Sequence, residues 1–192
     1  MFTESHINAL KSGKIAVLPT DTLYGLVGSA FDKTTIGSIE SLKGDTSKRT
    51  GYIVLLEKAA DVEKFGALLT VAEKNVFESL WPGPFSIVVK VNSNAYDYLT
   101  HTDEIAFRVP NNSELRDLLS KTGPLVAPSA NPTGMPPARN IDEAKAYFGG
   151  KVDMYIDGGN KSEVRASTLL RIHNNSDIEV LRMGDIDPKT LL

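Results

Sequence analysis

The chain has 192 residues, 41% of them hydrophobic and 23% charged, and a formal net charge of −3. That is enough for one domain with a real core and excludes a polycation, so any RNA binding would need a local basic patch. There is no cysteine, and the histidines are His6, His101 and His173. This argues against disulfides, thiolate nucleophiles, zinc–thiolate centres, a histidine metal cluster and a Ser-His-Asp triad. No basic start followed by an apolar stretch opens the chain, and no apolar run approaches the ~20 residues of a membrane span. The expectation is a cytoplasmic protein without a membrane partner.

Residues 3–12 read as a helix that Thr3 caps and Gly13 ends, with Ile7 and Leu10 on one face. A short strand, 15–18, runs into Pro19. Residues 32–43 are helical, with Ile36, Ile39 and Leu42 at helical spacing. A polar stretch, 44–51, precedes a strand over 52–56. A helix over 70–80 stops at Trp81-Pro82-Gly83-Pro84. Strands follow over 85–91 and 104–109, then a helix over 112–121 capped by Asn112 or Ser113, and a strand over 124–127. Residues 128–139 form an ordered Pro-, Ser-, Asn- and Gly-rich loop. A helix at 141–147 and strands at 154–156, 167–171 and 178–182 complete the chain. Strands and helices mix without strict alternation. This predicts one α/β domain over 1–192, a twisted mixed (parallel and antiparallel) sheet flanked by helices.

Four polar segments next to strands could hold a ligand, since α/β sheets place ligands at strand ends. The first, Pro19-Thr20-Asp21-Thr22-Leu23-Tyr24-Gly25-Leu26, gathers short hydrogen-bonding groups. It reads equally as a turn that satisfies its own backbone. The second carries Lys43, Lys48 and Arg49, three cations within seven residues. They could neutralise phosphates, although Lys43 also suits a solvated helix end. No P-loop string occurs. The third is Arg108, either an anion clamp or an arginine on the solvent face of an alternating strand. The fourth is Ser129-Ala130-Asn131-Pro132-Thr133-Gly134, a ligand loop or a capped turn.

Their order along the chain resembles the YrdC/Sua5 family of threonylcarbamoyl-AMP synthases. The matching segments are Pro19-Thr20-Asp21-Thr22-Leu23-Tyr24-Gly25-Leu26, Trp81-Pro82-Gly83-Pro84, Arg108-Val109-Pro110, Ser129-Ala130-Asn131-Pro132-Thr133-Gly134, Ser167-Thr168 and Arg182-Met183-Gly184. The resemblance runs from about residue 8 to residue 184. It implies a YrdC/RibB-like fold around a cationic cavity. It also implies an L-threonylcarbamoyladenylate synthase, a nucleotidyltransferase that uses L-threonine, bicarbonate and ATP and releases pyrophosphate. The product would feed t6A modification of tRNA at position 37 through a downstream transferase machinery. Mg²⁺ would be held mainly through phosphates, with no metal-ligand set in the protein. Tyr24, Thr22, Arg108, Ser129 and Ser167 would serve threonine and its carbamate. Lys43, Lys48, Arg49, Asn131 and Arg182 would serve ATP. Lys43 and Arg108 would stabilise the charge that develops during reaction.

The family's KxRP loop is altered: Asp45 stands for the arginine and Thr46 for the proline, and Thr50-Gly51 replaces Pro-Leu. An anion for a cation near a triphosphate shifts local charge by two units, each worth roughly 3 kcal/mol at ~6 Å and an effective dielectric of ~20. Lys48 and Arg49 could take over through a shifted loop, or Asp45 could help hold Mg²⁺. Otherwise the chain would be a non-catalytic protein binding nucleotide or double-stranded RNA. A carbamoyl-transfer enzyme with another acceptor is a third reading, and direct tRNA binding stays open.

Overall fold

The computed structural model describes residues 2–44, 51–67, 69–91, 96–100, 102–173 and 177–191. Helix α1 (Glu4–Lys11) begins with a capping box between Thr3 and His6. Strands β1 (Ala16–Pro19) and β2 (Tyr24–Ser29) form a hairpin, and α2 (Lys33–Lys43), capped by Asp32, packs on β2. Gly28 permits that approach, because a Cβ there would collide with Thr35 Cγ2. Then come β3 (Ile53–Leu55), a 3₁₀ segment (Ala59–Phe65), α3 (Val71–Leu80), β4 (Phe85–Lys90) and β5 (Glu104–Arg108). The remainder holds α4 (Ser113–Thr122), β6 (Leu125–Val126), α5 (Ile141–Phe148), β7 (Met154–Tyr155), β8 (Thr168–Ile172) and β9 (Ile178–Arg182).

The nine strands form one sheet in the order β7-β1-β2-β6-β3-β5-β4-β8-β9. The pairs β1–β7, β3–β5 and β4–β8 are parallel and the others antiparallel. The mixed α/β sheet read from the sequence is therefore what forms. Among the described residues, β2 and the 3₁₀ segments Ala59–Phe65, Gly149–Lys151 and Pro188–Thr190 escaped that reading. Tyr24 to Leu26 lies in β2, so only residues 20–23 turn; glycines at 25 and 28 had masked the strand. The 3₁₀ segment Ala59–Phe65 had no helical apolar period to reveal it.

Helices cover both faces of the sheet. The larger core includes Ile36 and Ile39 of α2, Phe77 and Leu80 of α3 and Phe148 of α5, with Val54, Ile87 and Phe107 from the strands. The smaller core joins Ile7 and Leu10 of α1 to Leu115, Leu118 and Leu119 of α4 over Ala16, Leu18, Val27 and Leu55. Leu55 pairs in register with Arg108. Paired residues point to the same side of a sheet, so Arg108 continues the face that carries the smaller core. Beyond α1 and α4 that face opens into a cavity.

Candidate functional site

The cavity measures about 720 Å³. Its floor follows from the two-residue period of the strands. On β5, Ile105 and Phe107 enter the larger core, while Glu104, Ala106 and Arg108 line the cavity. On β8, Leu170 enters the core, while Leu169 and Arg171 line the cavity together with Ser167 just before the strand. By sequence, Arg108 sits either on a solvent face or in a clamp. It is 4% exposed, so the solvent-face reading is wrong. Lys43 is 6% exposed, so it is not a solvated helix end.

The Arg108 guanidinium meets the turn between β1 and β2. Its Nη1 donates to Thr22 Oγ1 (2.9 Å) and its Nη2 to Thr20 Oγ1 (3.3 Å). Asp21 Oδ1 lies 3.4 Å from Nη2, an ion pair without hydrogen-bond geometry. Thr20 knits the turn: its Oγ1 accepts the Thr22 N–H (3.0 Å), donates to the Leu23 carbonyl (2.7 Å) and lies 3.1 Å from Thr22 Oγ1. Burial pushes the Arg108 pKa down, and the Asp21 carboxylate opposes that shift.

Arg182 reaches in from the end of β9. Its Nη2 donates to the Ser167 carbonyl (3.0 Å) and to Ser167 Oγ (3.2 Å). Ser167 Oγ is 2.8 Å from buried Ser86 Oγ. Burial lowers the Arg182 pKa, and the positive charge of Arg108 lowers it further. Two guanidinium groups thus stand near one another, Arg108 withdrawn from water and Arg182 still partly exposed to it. A ligand with negative charge relieves that arrangement.

The loop after β6 is bound to the end of α2. Lys43 Nζ donates to the carbonyls of Ser129 (2.8 Å) and Asn131 (2.6 Å), and the Thr133 N–H donates to the Lys43 carbonyl (2.7 Å). Asn131 Nδ2 donates to the Pro132 (2.9 Å) and Met135 (2.7 Å) carbonyls. These bonds fix the loop's shape from within. The Tyr24 hydroxyl accepts the Gly158 N–H (2.8 Å), donates to the Gly159 carbonyl (2.8 Å) and lies 3.2 Å from Asp157 Oδ1. Tyr24 thereby joins the hairpin to the chain after β7, and burial raises its pKa.

Thr22, Tyr24, Lys43, Arg108, Ser129, Asn131, Ser167 and Arg182 all line this one cavity. Asp45, Lys48 and Arg49 lie outside the described residues. Glu104, Arg171 and Thr102 also line it and were not singled out from sequence. Arg171 Nη2 donates to Glu104 Oε2 (2.8 Å), and Glu179 Oε2 lies 3.4 Å from Nη1. Counting in twos back from Arg108, or forward from Ser167, would have found Glu104 and Arg171. Among the described residues, no group of three or more His, Asp or Glu is placed to hold a metal ion. No helix there is long and apolar enough to cross a membrane.

The Sua5/YciO/YrdC family, described as "Telomere recombination", matches residues 8–184. A threonylcarbamoyl-AMP synthase of Cellvibrio japonicus (strain Ueda107) is 31% identical over 165 residues, covering 82% of this chain and 87% of that protein. The crystal structure of P. abyssi Sua5 complexed with L-threonine superposes with a TM-score of 0.85 at 25% identity, over 96% of this chain and 55% of that one. The chain thus spans about half the length of that Sua5. E. coli YciO superposes with a TM-score of 0.85 at 20% identity, over 98% of this chain and 91% of that one. At that identity the likeness concerns the fold alone.

Proposed function

This chain belongs to the Sua5/YciO/YrdC family, and on that premise we propose that it is a threonylcarbamoyl-AMP synthase acting in the cytoplasm, with residues 1–192 as one domain. The observation that carries the reading is the pair of guanidinium groups, buried Arg108 and partly exposed Arg182, lining one cavity whose other walls offer hydroxyls and main-chain groups. The amino group of L-threonine takes up bicarbonate carbon, with loss of water, to give a carbamate. A carbamate oxygen then attacks the α-phosphorus of ATP, the α–β anhydride bond breaks, and pyrophosphate leaves with that electron pair. A nucleotidyl transfer of this kind uses an anionic nucleophile supplied by the substrate. The protein's task is to hold two anions together and stabilise spreading charge.

Arg108 grips the carboxylate of threonine or its carbamate, with Thr22 beside it and Ser167 on the same side. Tyr24 holds the wall behind them. Ser129 and Asn131 line the boundary between threonine and nucleotide, and Arg182 serves the nucleotide. Lys43 serves the triphosphate, a role we extend to Lys48 and Arg49 from the sequence alone. Among the described residues that line the cavity, Lys43, Arg108, Arg171 and Arg182 are cationic and Glu104 alone is acidic, which suits an Mg²⁺ ion held through phosphates and water. Such an ion offsets phosphate charge. The product passes to the t6A transferase machinery that modifies tRNA.

The test is pyrophosphate release from ATP with L-threonine and bicarbonate supplied or withheld, in the presence of Mg²⁺. Release that depends on both supports the synthase. Release that ignores threonine, or none at all, overturns it. RNA binding with a steep salt dependence and no pyrophosphate would favour the non-catalytic reading that Asp45 suggests.

A further inference from the structure

We propose that Asp21 is the positioning residue for Arg108, a buried counter-ion behind the guanidinium that fixes which of its N–H groups face the cavity. The inference rests on the reading of Arg108 as the group that takes a substrate carboxylate.

Thr20, Thr22 and Arg108 line the cavity, and Asp21, between the two threonines, does not. Its side chain is 8% exposed and that of Arg108 is 4% exposed. One carboxylate oxygen, Oδ2, accepts the Asn111 N–H at 2.9 Å, three residues beyond Arg108. The other, Oδ1, lies 3.4 Å from Arg108 Nη2. The carboxylate is therefore held by the chain leaving β5, and it lies beside the guanidinium without lining the cavity.

A guanidinium carries five N–H donors in a rigid fork. Here Thr22 takes one from Nη1 and Thr20 one from Nη2. Nε is buried without a partner. Asp21 adds the only charge of the turn that opposes the repulsion between Arg108 and Arg182. With the fork held from behind, a carboxylate arriving from the cavity meets donors that are already ordered. The cost of ordering them is removed from binding. Burial alone favours loss of the Arg108 charge, and Asp21 counters it.

A merely structural role is the competing account: Asp21 would do no more than tie the turn to residue 111. Asp21→Asn separates the two, because its amide oxygen can still accept the Asn111 N–H while the charge is gone. Titration calorimetry with L-threonine and with ATP is the first measurement. NMR of the arginine Nη protons is the second, and thermal unfolding checks that the variant is folded. We expect folded Asp21→Asn to bind L-threonine about tenfold more weakly or worse, with ATP affinity within about twofold of wild type. Asp21→Glu should recover part of the loss. Separate Arg108 Nη signals in wild type should merge in Asp21→Asn as the fork rotates freely.

Wild-type threonine affinity in folded Asp21→Asn overturns the proposal. If Asp21→Asn does not fold, the wild-type spectrum decides: resolved Nη signals support a fixed fork, and averaged ones overturn it. If wild type itself fails to bind L-threonine, the functional reading has failed. Asp21 is then judged on the NMR comparison alone: merging of the signals in the variant supports it, and unchanged signals overturn it.

Discussion

Lys43 and Asn131 hold one another at two points: the lysine ammonium donates to the Asn131 carbonyl at 2.6 Å and lies 3.4 Å from its Oδ1. The C-terminus of α2 and the loop after β6 are consequently tied together. A residue expected either to face phosphates or to end a helix in solvent instead shapes a loop that lines the cavity.

Lys43→Met removes a charged donor from one buried and one part-buried carbonyl acceptor, and the loss at the buried one costs about 2 kcal/mol. We expect a lowered denaturation midpoint in urea together with a marked fall in pyrophosphate release. An unchanged midpoint would mean that the ammonium does not organise the loop.

Arg108→Ala deletes the clamp and strands the Asp21 carboxylate in a buried site. Threonine-dependent turnover should fall by at least about 100-fold. Stability should fall by about 3 kcal/mol, the scale for breaking a buried pair by removing one partner. Arg108→Lys should regain stability but little activity, because an ammonium lacks the planar fork. Steady-state kinetics beside thermal unfolding separates the two effects.

Gly158 gives its N–H to the Tyr24 hydroxyl and lies against Pro19, where a Cβ would collide with the ring. Gly158→Ala should push β1 and the 157–159 segment apart and destabilise the fold by about 2 kcal/mol. Tyr24→Phe keeps the ring and loses only the hydroxyl's bonds, so it should cost less. Parallel melts of the two variants check the order.

Asp32 and Asp153 contribute to the acid limb of stability. The Thr35 hydroxyl chiefly lowers the Asp32 pKa, and the Ile15 N–H chiefly lowers that of Asp153, in each case from an ordinary 3.8. A carboxylate whose folded pKa is depressed adds stability that is complete above its unfolded value. That stability drains away as pH falls through the folded value. Asp153→Asn should therefore be less stable than wild type at neutral pH, with the gap closing below pH 3.8. Urea unfolding across that range measures it, and a gap independent of pH would refute the linkage.

Much of the fold was legible because its signals are local. Thr3, Thr70, Asn112 and Asn140 cap helices whose apolar faces repeat at the helical period. Strand β2 was not legible, since Gly25 and Gly28 dilute its pattern. The site was legible as a set of motifs but not as a geometry. Nothing local says that Lys43 lies against Asn131, 88 residues away, or that Arg108 meets Thr22 across 86. The Glu104–Arg171 pair belongs to the cavity only because β5 and β8 flank β4, a fact of strand order. Asp45, which alters the expected KxRP loop, lies outside the described residues.

The alternation along β5 bears on how the protein reaches this fold. Sliding β5 by one residue against β3 and β4 would turn Arg108 toward the aromatic interior of Phe65 and Phe77, and Phe107 toward the cavity. A misaligned sheet would bury an unpaired cation and expose a ring, both costly. The arginine at the strand's end therefore acts during assembly as well. It penalises any alignment of the central strands that is off by an odd number of residues.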